Sequence, residues 1–142
     1  MINFKSKYGS YALITGAASG IGRAFAEVLA QRGVNPIILD INAKDAGSLQ
    51  KELTEKYKVD ARTLILDLSA PDFMQAVIKA TRTLDVGLVI HSAAVSIIGD
   101  YVELPLEEHR RLVDVNVRSS MEIAHYFCNQ FKVKKRGGLI LL

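Results

Sequence analysis

The chain is 142 residues long, 49% apolar and 23% charged, with a net charge of +3 and a single cysteine. That length suits one domain with a core of its own, and the balance is that of an ordinary globular protein. It excludes a disulfide scaffold and a multi-cysteine metal site, and no apolar run nears the ~18 residues that a membrane span needs.

At the start, residues 1–7 set Lys5 and Lys7 beside Ile2 and Phe4 and lack the apolar stretch of a signal peptide, so a cytoplasmic location is expected. Residues 11–15, Tyr-Ala-Leu-Ile-Thr, predict a first strand that ends at a turn rich in Gly, Ala and Ser. A helix over 21–32 follows, with Ile21, Phe25, Val28 and Leu29 as its apolar stripe and Gly33 as its stop. The second strand, residues 36–40, is almost wholly apolar, as a strand covered on both faces should be. Residues 43–58 read as a charged, exposed helix and 63–67 as the third strand. Ser69, Ala70, Pro71 and Asp72 then cap the next helix, with proline early where it is tolerated. The fourth strand covers 88–91, and one long helix is predicted over 106–131. Its basic tail of Lys132, Lys134, Lys135 and Arg136 complements a helix C-terminus, so no nucleic-acid partner is expected. After Gly137 and Gly138 a fifth strand begins at 138–142.

Strands alternating with helices predict an α/β fold, a doubly wound parallel sheet with right-handed crossovers in the order 3-2-1-4-5. No linker, repeat or low-complexity segment divides residues 1–142, which read as one dinucleotide-binding domain. The sequence stops within the fifth strand, and the expectation is a domain incomplete at that end. Its last strand would be an open edge prone to self-association.

The strongest motif is Thr15-Gly16-Ala17-Ala18-Ser19-Gly20-Ile21-Gly22, between the first strand and its helix. Small residues there let the backbone turn tightly and approach a pyrophosphate, which the free N–H groups of the helix N-terminus then hold. A purely structural turn is the other use of such a loop; the strand–turn–helix setting favours the phosphate. Asp40 ends the second strand, 18 residues past Gly22. A carboxylate there accepts hydrogen bonds from adenosine ribose hydroxyls and repels a 2′-phosphate, which favours NAD over NADP; capping the helix after Asn42 is its alternative use.

The spacing Thr-Gly-x-x-x-Gly-Ile-Gly resembles the fingerprint of the short-chain dehydrogenase/reductase family, and the resemblance runs over essentially the whole chain. It implies a Rossmann-type oxidoreductase in which Gly16, Gly20 and Gly22 admit the pyrophosphate and the Ser19 and Ile21 backbones contact ribose and phosphate. Asp67 and Leu68 would meet adenine, and Asn116 is the catalytic candidate, supporting a proton-relay water; a buried amide satisfying backbone is its plainer role. The family's Asn-Asn-Ala-Gly appears here as His91, Ser92, Ala93 and Ala94, which would lie beside the nicotinamide ribose, with His91 tying neighbouring backbone. Lys7-Tyr8-Gly9 and Asp85-Val86-Gly87 resemble a subgroup that includes hydroxysteroid dehydrogenases and 3-oxoacyl reductases. The family's catalytic Ser and Tyr-x-x-x-Lys do not occur: Tyr8, Tyr11, Tyr57, Tyr101 and Tyr126 are followed at that spacing by Ala12, Thr15, Ala61, Pro105 and Gln130.

The implied protein exchanges a hydride between NAD(H) and an alcohol or carbonyl, as a homo-oligomer with no metal and no membrane contact, while this stretch alone is inactive. A non-catalytic nucleotide-binding or interaction module is one rival. A methyltransferase is another, although Thr15-Gly16 stands where its acidic strand end would be.

Overall fold

The structure, a computed structural model, describes residues 3–142. Met1 and Ile2, which open the segment read above for a signal peptide, lie outside the described residues. In chain order the elements are α1 (Phe4–Tyr8), β1 (Tyr11–Thr15), α2 (Gly20–Gln31), β2 (Asn35–Asp40), α3 (Ala43–Tyr57), β3 (Arg62–Ile65), α4 (Phe73–Thr81) and β4 (Val86–His91). There follow α5 (Leu106–Val113), a π-helical turn (Asp114–Arg118), α6 (Ser119–Lys134) and β5 (Gly138–Leu141). The five strands form one sheet in the order β3-β2-β1-β4-β5, every neighbouring pair parallel. This is the doubly wound α/β architecture that the sequence implies.

Alternate residues along each central strand serve opposite faces. Ala12, Ile14, Ile38, Leu88 and Ile90 pack with Ala26, Leu29 and Ala30 of α2 and with Ala46, Leu49 and Leu53 of α3. Leu13, Ile37, Leu39 and Val89 pack on the other side with Phe73 and Val77 of α4 and Ile123 and Phe127 of α6. Phe73 is fully buried and lies under the Arg118 guanidinium, 5.3 Å from ring centroid to Cζ. Phe73→Ala is therefore expected to cost about 3–5 kcal/mol of unfolding free energy, read as a lowered urea midpoint.

Several elements differ from the sequence expectation. The buried stripe of α2 is Gly22, Ala26, Leu29 and Ala30, whereas Ile21 and Val28 are 63% and 46% exposed. Small residues on that face let the helix press close to the sheet, so the larger apolar side chains are turned outward. The charged helix α3 is not wholly exposed: Ala46, Leu49 and Leu53 bury one stripe. Pro71 precedes the N-cap Asp72, so residues 69–72 form the turn into α4 rather than its first turn, and Asp72 makes no capping bond. Asp67 lies past the end of β3 rather than within it.

The long helix runs on to Lys134 but is not uniform. At Asp114–Arg118 it widens into a π turn, marked by Ser119 N–H reaching back five residues to the Asp114 carbonyl. The sequence reading also lacks α1, a short turn capped by the Asn3 side chain, which accepts from Lys5 and Ser6 N–H. Among the described residues, no helix is long and apolar enough to cross a membrane.

Candidate functional site

A cavity of about 390 Å³ opens at the C-terminal ends of the strands, where the order reverses between β1 and β4. Its lining includes Gly16, Ser19, Gly20, Ile21, Asp40, Asp67, Leu68, Ser92, Ala93 and Ala94. Two sequence candidates lie outside it: Gly22 is buried beneath the loop, and Asn116 stands behind Val95.

Backbone geometry explains the small residues. Gly16 and Gly20 have φ of 62° and 53°, in the left-handed region that favours glycine. A Cβ on Gly16 would lie 2.8 Å from Ala93 Cα, and one on Gly22 would lie 2.2 Å from the Gly16 carbonyl oxygen. The loop thus doubles back over the first turn of α2 and against the strand β4 exit. The N-cap Ser19 makes no side-chain bond to that turn, so the first N–H groups of α2 lack a side-chain cap at the cavity.

Asp40 ties the loop down. Its Oδ2 accepts from Ala18 N–H at 2.9 Å and its Oδ1 from Asn42 N–H at 2.9 Å. The N-cap of α3 is Asn42, whose side chain accepts from Asp45 N–H. Each oxygen of Asp40 keeps a second lone pair. Across the cavity, Asp67 Oδ1 accepts from the Ser69 hydroxyl at 2.7 Å and Ser69 N–H at 2.8 Å. The hydroxyl and then the amide of Ser69 hold this carboxyl below the usual carboxylate range, with a smaller contribution from the charge of Arg111.

Asn116 sits in the π turn, and both ends of its side-chain amide bond to one residue. Oδ1 accepts from Val95 N–H at 2.9 Å and Nδ2 donates to the Val95 carbonyl at 2.8 Å. The helix therefore holds the chain just after β4, where Ser92, Ala93, Ala94 and Val95 line the cavity. Ala94 does not have a positive φ, so its methyl carries no backbone strain. His91 does not tie backbone as expected. Its ring contacts the hydroxyls of Thr15 at 2.9 Å and Ser119 at 3.4 Å.

Sequence reasoning missed Leu39, Leu66, Val95, Arg111 and Val115. Arg111 and Val115 are four apart on the long helix and share a face; that spacing was the available signal. Among the described residues, no three His, Cys, Asp or Glu side chains converge as metal ligands.

A doubly wound sheet with a glycine-pinned loop at its strand-order reversal, faced by an acidic strand end, defines a nucleotide-binding type of α/β protein. The short chain dehydrogenase family profile matches residues 10–142. The chain belongs to the short chain dehydrogenase family, a family of nicotinamide-binding oxidoreductases; the methyltransferase reading is thereby set aside. It is 31% identical over 141 residues to a 7beta-hydroxysteroid dehydrogenase from Clostridium sardiniense, covering 99% of this chain and 54% of that protein. It is also 31% identical over 142 residues to a very-long-chain 3-oxoacyl-CoA reductase from Coprinopsis cinerea, covering 97% and 42%. A solved 7beta-hydroxysteroid dehydrogenase structure superposes with a TM-score of 0.95 at 31% identity, covering 99% of this chain and 54% of that one. A short-chain dehydrogenase from Sphingobium yanoikuyae in complex with NADPH gives 0.87 at 27% identity, covering 92% and 52%. The chain spans about half the length of the curated relatives it matches.

Proposed function

We propose that this chain is the NAD(H)-binding part of an oxidoreductase that interconverts an alcohol and a carbonyl. The observation that carries this reading is the loop of residues 16–22 folded over the N-terminus of α2, with Asp40 bonded to Ala18 N–H at the cavity wall. A nicotinamide dinucleotide supplies the hydride exchange when bound. The protein's own residues bind and orient it. Gly16 and Gly20 keep side chains out of the pyrophosphate approach and Gly22 lets the loop lie against α2, while Ser19 and Ile21 present backbone to phosphate and ribose. Asp40 offers its free lone pairs to the adenosine ribose hydroxyls, and Asp67 and Leu68 flank the adenine. Ser92, Ala93 and Ala94 form the wall beside the nicotinamide ribose. Asn116, through Val95, fixes that wall and stands as the support for a proton relay in the complete site. The names of the curated relatives support a bulky apolar alcohol or ketone as the substrate class.

The Sphingobium relative accommodates NADPH, so the preference here falls on local charge. Asp40 and Ile41 line the wall where a base would be needed for a 2′-phosphate; Arg111 lines the same cavity, and its charge acts weakly on Asp67. Calorimetric titration is expected to give NAD(H) at least tenfold tighter binding than NADP(H), about 1.4 kcal/mol. Equal or tighter NADP(H) binding refutes this use of Asp40.

A further inference from the structure

The position that ends β4 carries an imidazole, and the hydrogen bonds around it leave one arrangement of protons. Thr15 Oγ1 lies 3.1 Å from Ser92 N and 3.0 Å from Ala93 N and accepts from both. A hydroxyl oxygen has two lone pairs and one hydrogen, so the Thr15 hydrogen is left to donate to His91 Nδ1, 2.9 Å away. Nδ1 is then an acceptor, and the ring proton sits on Nε2, facing Ser119 Oγ at 3.4 Å. Ser119 passes its own hydrogen to the Val115 carbonyl at 2.6 Å. The chain of bonds runs in one direction, from the amides of Ser92 and Ala93 through Thr15 and, on the far side of the ring, to Ser119, the residue that follows the π turn.

We propose that His91 is a positioning residue: neutral and protonated on Nε2, it fixes the Thr15 hydroxyl that holds the Ser92–Ala93 wall of the cavity, and its protonation releases that wall. A proton on Nδ1 would face an oxygen whose lone pairs are both committed, so one of the two amides must give up its partner. Among the described residues, none near the ring compensates a positive charge. His91 is buried, and around it stand the Thr15 hydroxyl of β1, the Ser119 hydroxyl of α6 and, in register on β5, Leu141. The charged groups flanking Ser119 on the long helix, Asp114, Arg118 and Glu122, are paired with one another. The cavity carboxylates Asp40 and Asp67 are bonded to Ala18, Asn42 and Ser69. Burial accordingly holds the imidazole below its ordinary value of 6.5. The consequence for cofactor rests on the function proposed above; the ring and amide behaviour does not.

The direction with pH follows from linkage. Between the lowered folded value and 6.5, the unfolded or opened chain takes a proton that the closed site refuses, so the closed wall is fully held above 6.5 and loses stability as pH falls through that window. The test is NMR of 15N-histidine- and amide-labelled protein from neutral to acid pH, with His91 assigned by its loss in His91→Asn. The expected result is an Nε2–H tautomer, a titration below 6.5, and Ser92 and Ala93 amide shifts that move in the same step. A titration at or above 6.5, an Nδ1–H tautomer, or amides indifferent to the ring overturns the proposal. NAD titrations supply the second arm. His91→Leu, lacking the acceptor for Thr15, is expected to weaken binding about tenfold or more at every pH. His91→Asn, which keeps an acceptor but cannot titrate, is expected to bind more tightly than His91→Leu and without the acid step; equal affinities for the two overturn the positioning role. If NAD binds to none of these proteins, the reading of the cavity fails, and the ring tautomer and amide response still decide this proposal.

Discussion

Gly22→Val is expected to weaken NAD(H) binding by at least a hundredfold while leaving the sheet and helices largely in place. A bare Cβ on Gly22 would lie 2.2 Å from the Gly16 carbonyl oxygen, 2.8 Å from its carbonyl carbon and 3.0 Å from Ala17 Cα. Those are backbone atoms, so no rotamer change relieves the contact; the loop itself must lift away from α2. Lifting it pulls Ala18 N–H from Asp40 and opens the wall against Ala93, the two features that shape the cavity. The β-branched side chain adds bulk at the first turn of a helix whose free N–H groups are the proposed phosphate site. Overpacking of this kind costs about 1–3 kcal/mol of stability, which a thermal melt separates from the loss of affinity. Unchanged affinity in a folded variant would mean that the loop is only a turn.

The same local crowding explains what the sequence disclosed and what it concealed. Sheet order was legible because apolar strand runs such as Ile37, Ile38 and Leu39 alternate with helical stretches, and parallel neighbours leave few topologies. The loop was legible because backbone-on-backbone packing demands glycine, which no side-chain arrangement replaces. The face of α2 was not: periodicity rewards large apolar residues, whereas the helix buries Gly22, Ala26 and Ala30 and turns Ile21 and Val28 outward. The π turn was equally hidden, since one extra residue in a helical turn leaves no mark in composition. That turn nevertheless sets where Asn116 meets Val95 and where Ser119 meets His91. The role of Asp40 was half visible. Its charge suggested the ribose, but its two bonds to Ala18 and Asn42 N–H join the end of β2 to the glycine loop and to the start of α3 in a way that only the fold reveals. Removing that carboxylate to change cofactor preference would therefore also loosen the glycine loop.

A preparation whose intact mass matches these 142 residues is expected to show no cofactor-dependent turnover with any alcohol or carbonyl. Reduction of a carbonyl needs a proton delivered to the oxygen as hydride arrives, and a positioned acid contributes about 10²–10⁴-fold to such a step. None of the five tyrosines has a lysine four residues later. The cavity lining offers no substitute. Asp67 is held ionised by Ser69, and Asp40 accepts backbone N–H with both oxygens. Tyr101 packs at a tilt against His109, 4.2 Å between ring centroids, and neither lines the cavity. His91, next to the cavity-lining Ser92, is 2% exposed with one nitrogen on Thr15 and the other facing Ser119, so it cannot reach a substrate without dismantling the wall it supports. A longer protein that carries the family's Ser and Tyr-x-x-x-Lys is expected to turn over, and substituting that Tyr by Phe should return it to the level of the 142-residue chain. Measurable turnover by material of verified mass, followed through the absorbance of the reduced nicotinamide, would refute this assignment and require a proton donor outside the side chains named here.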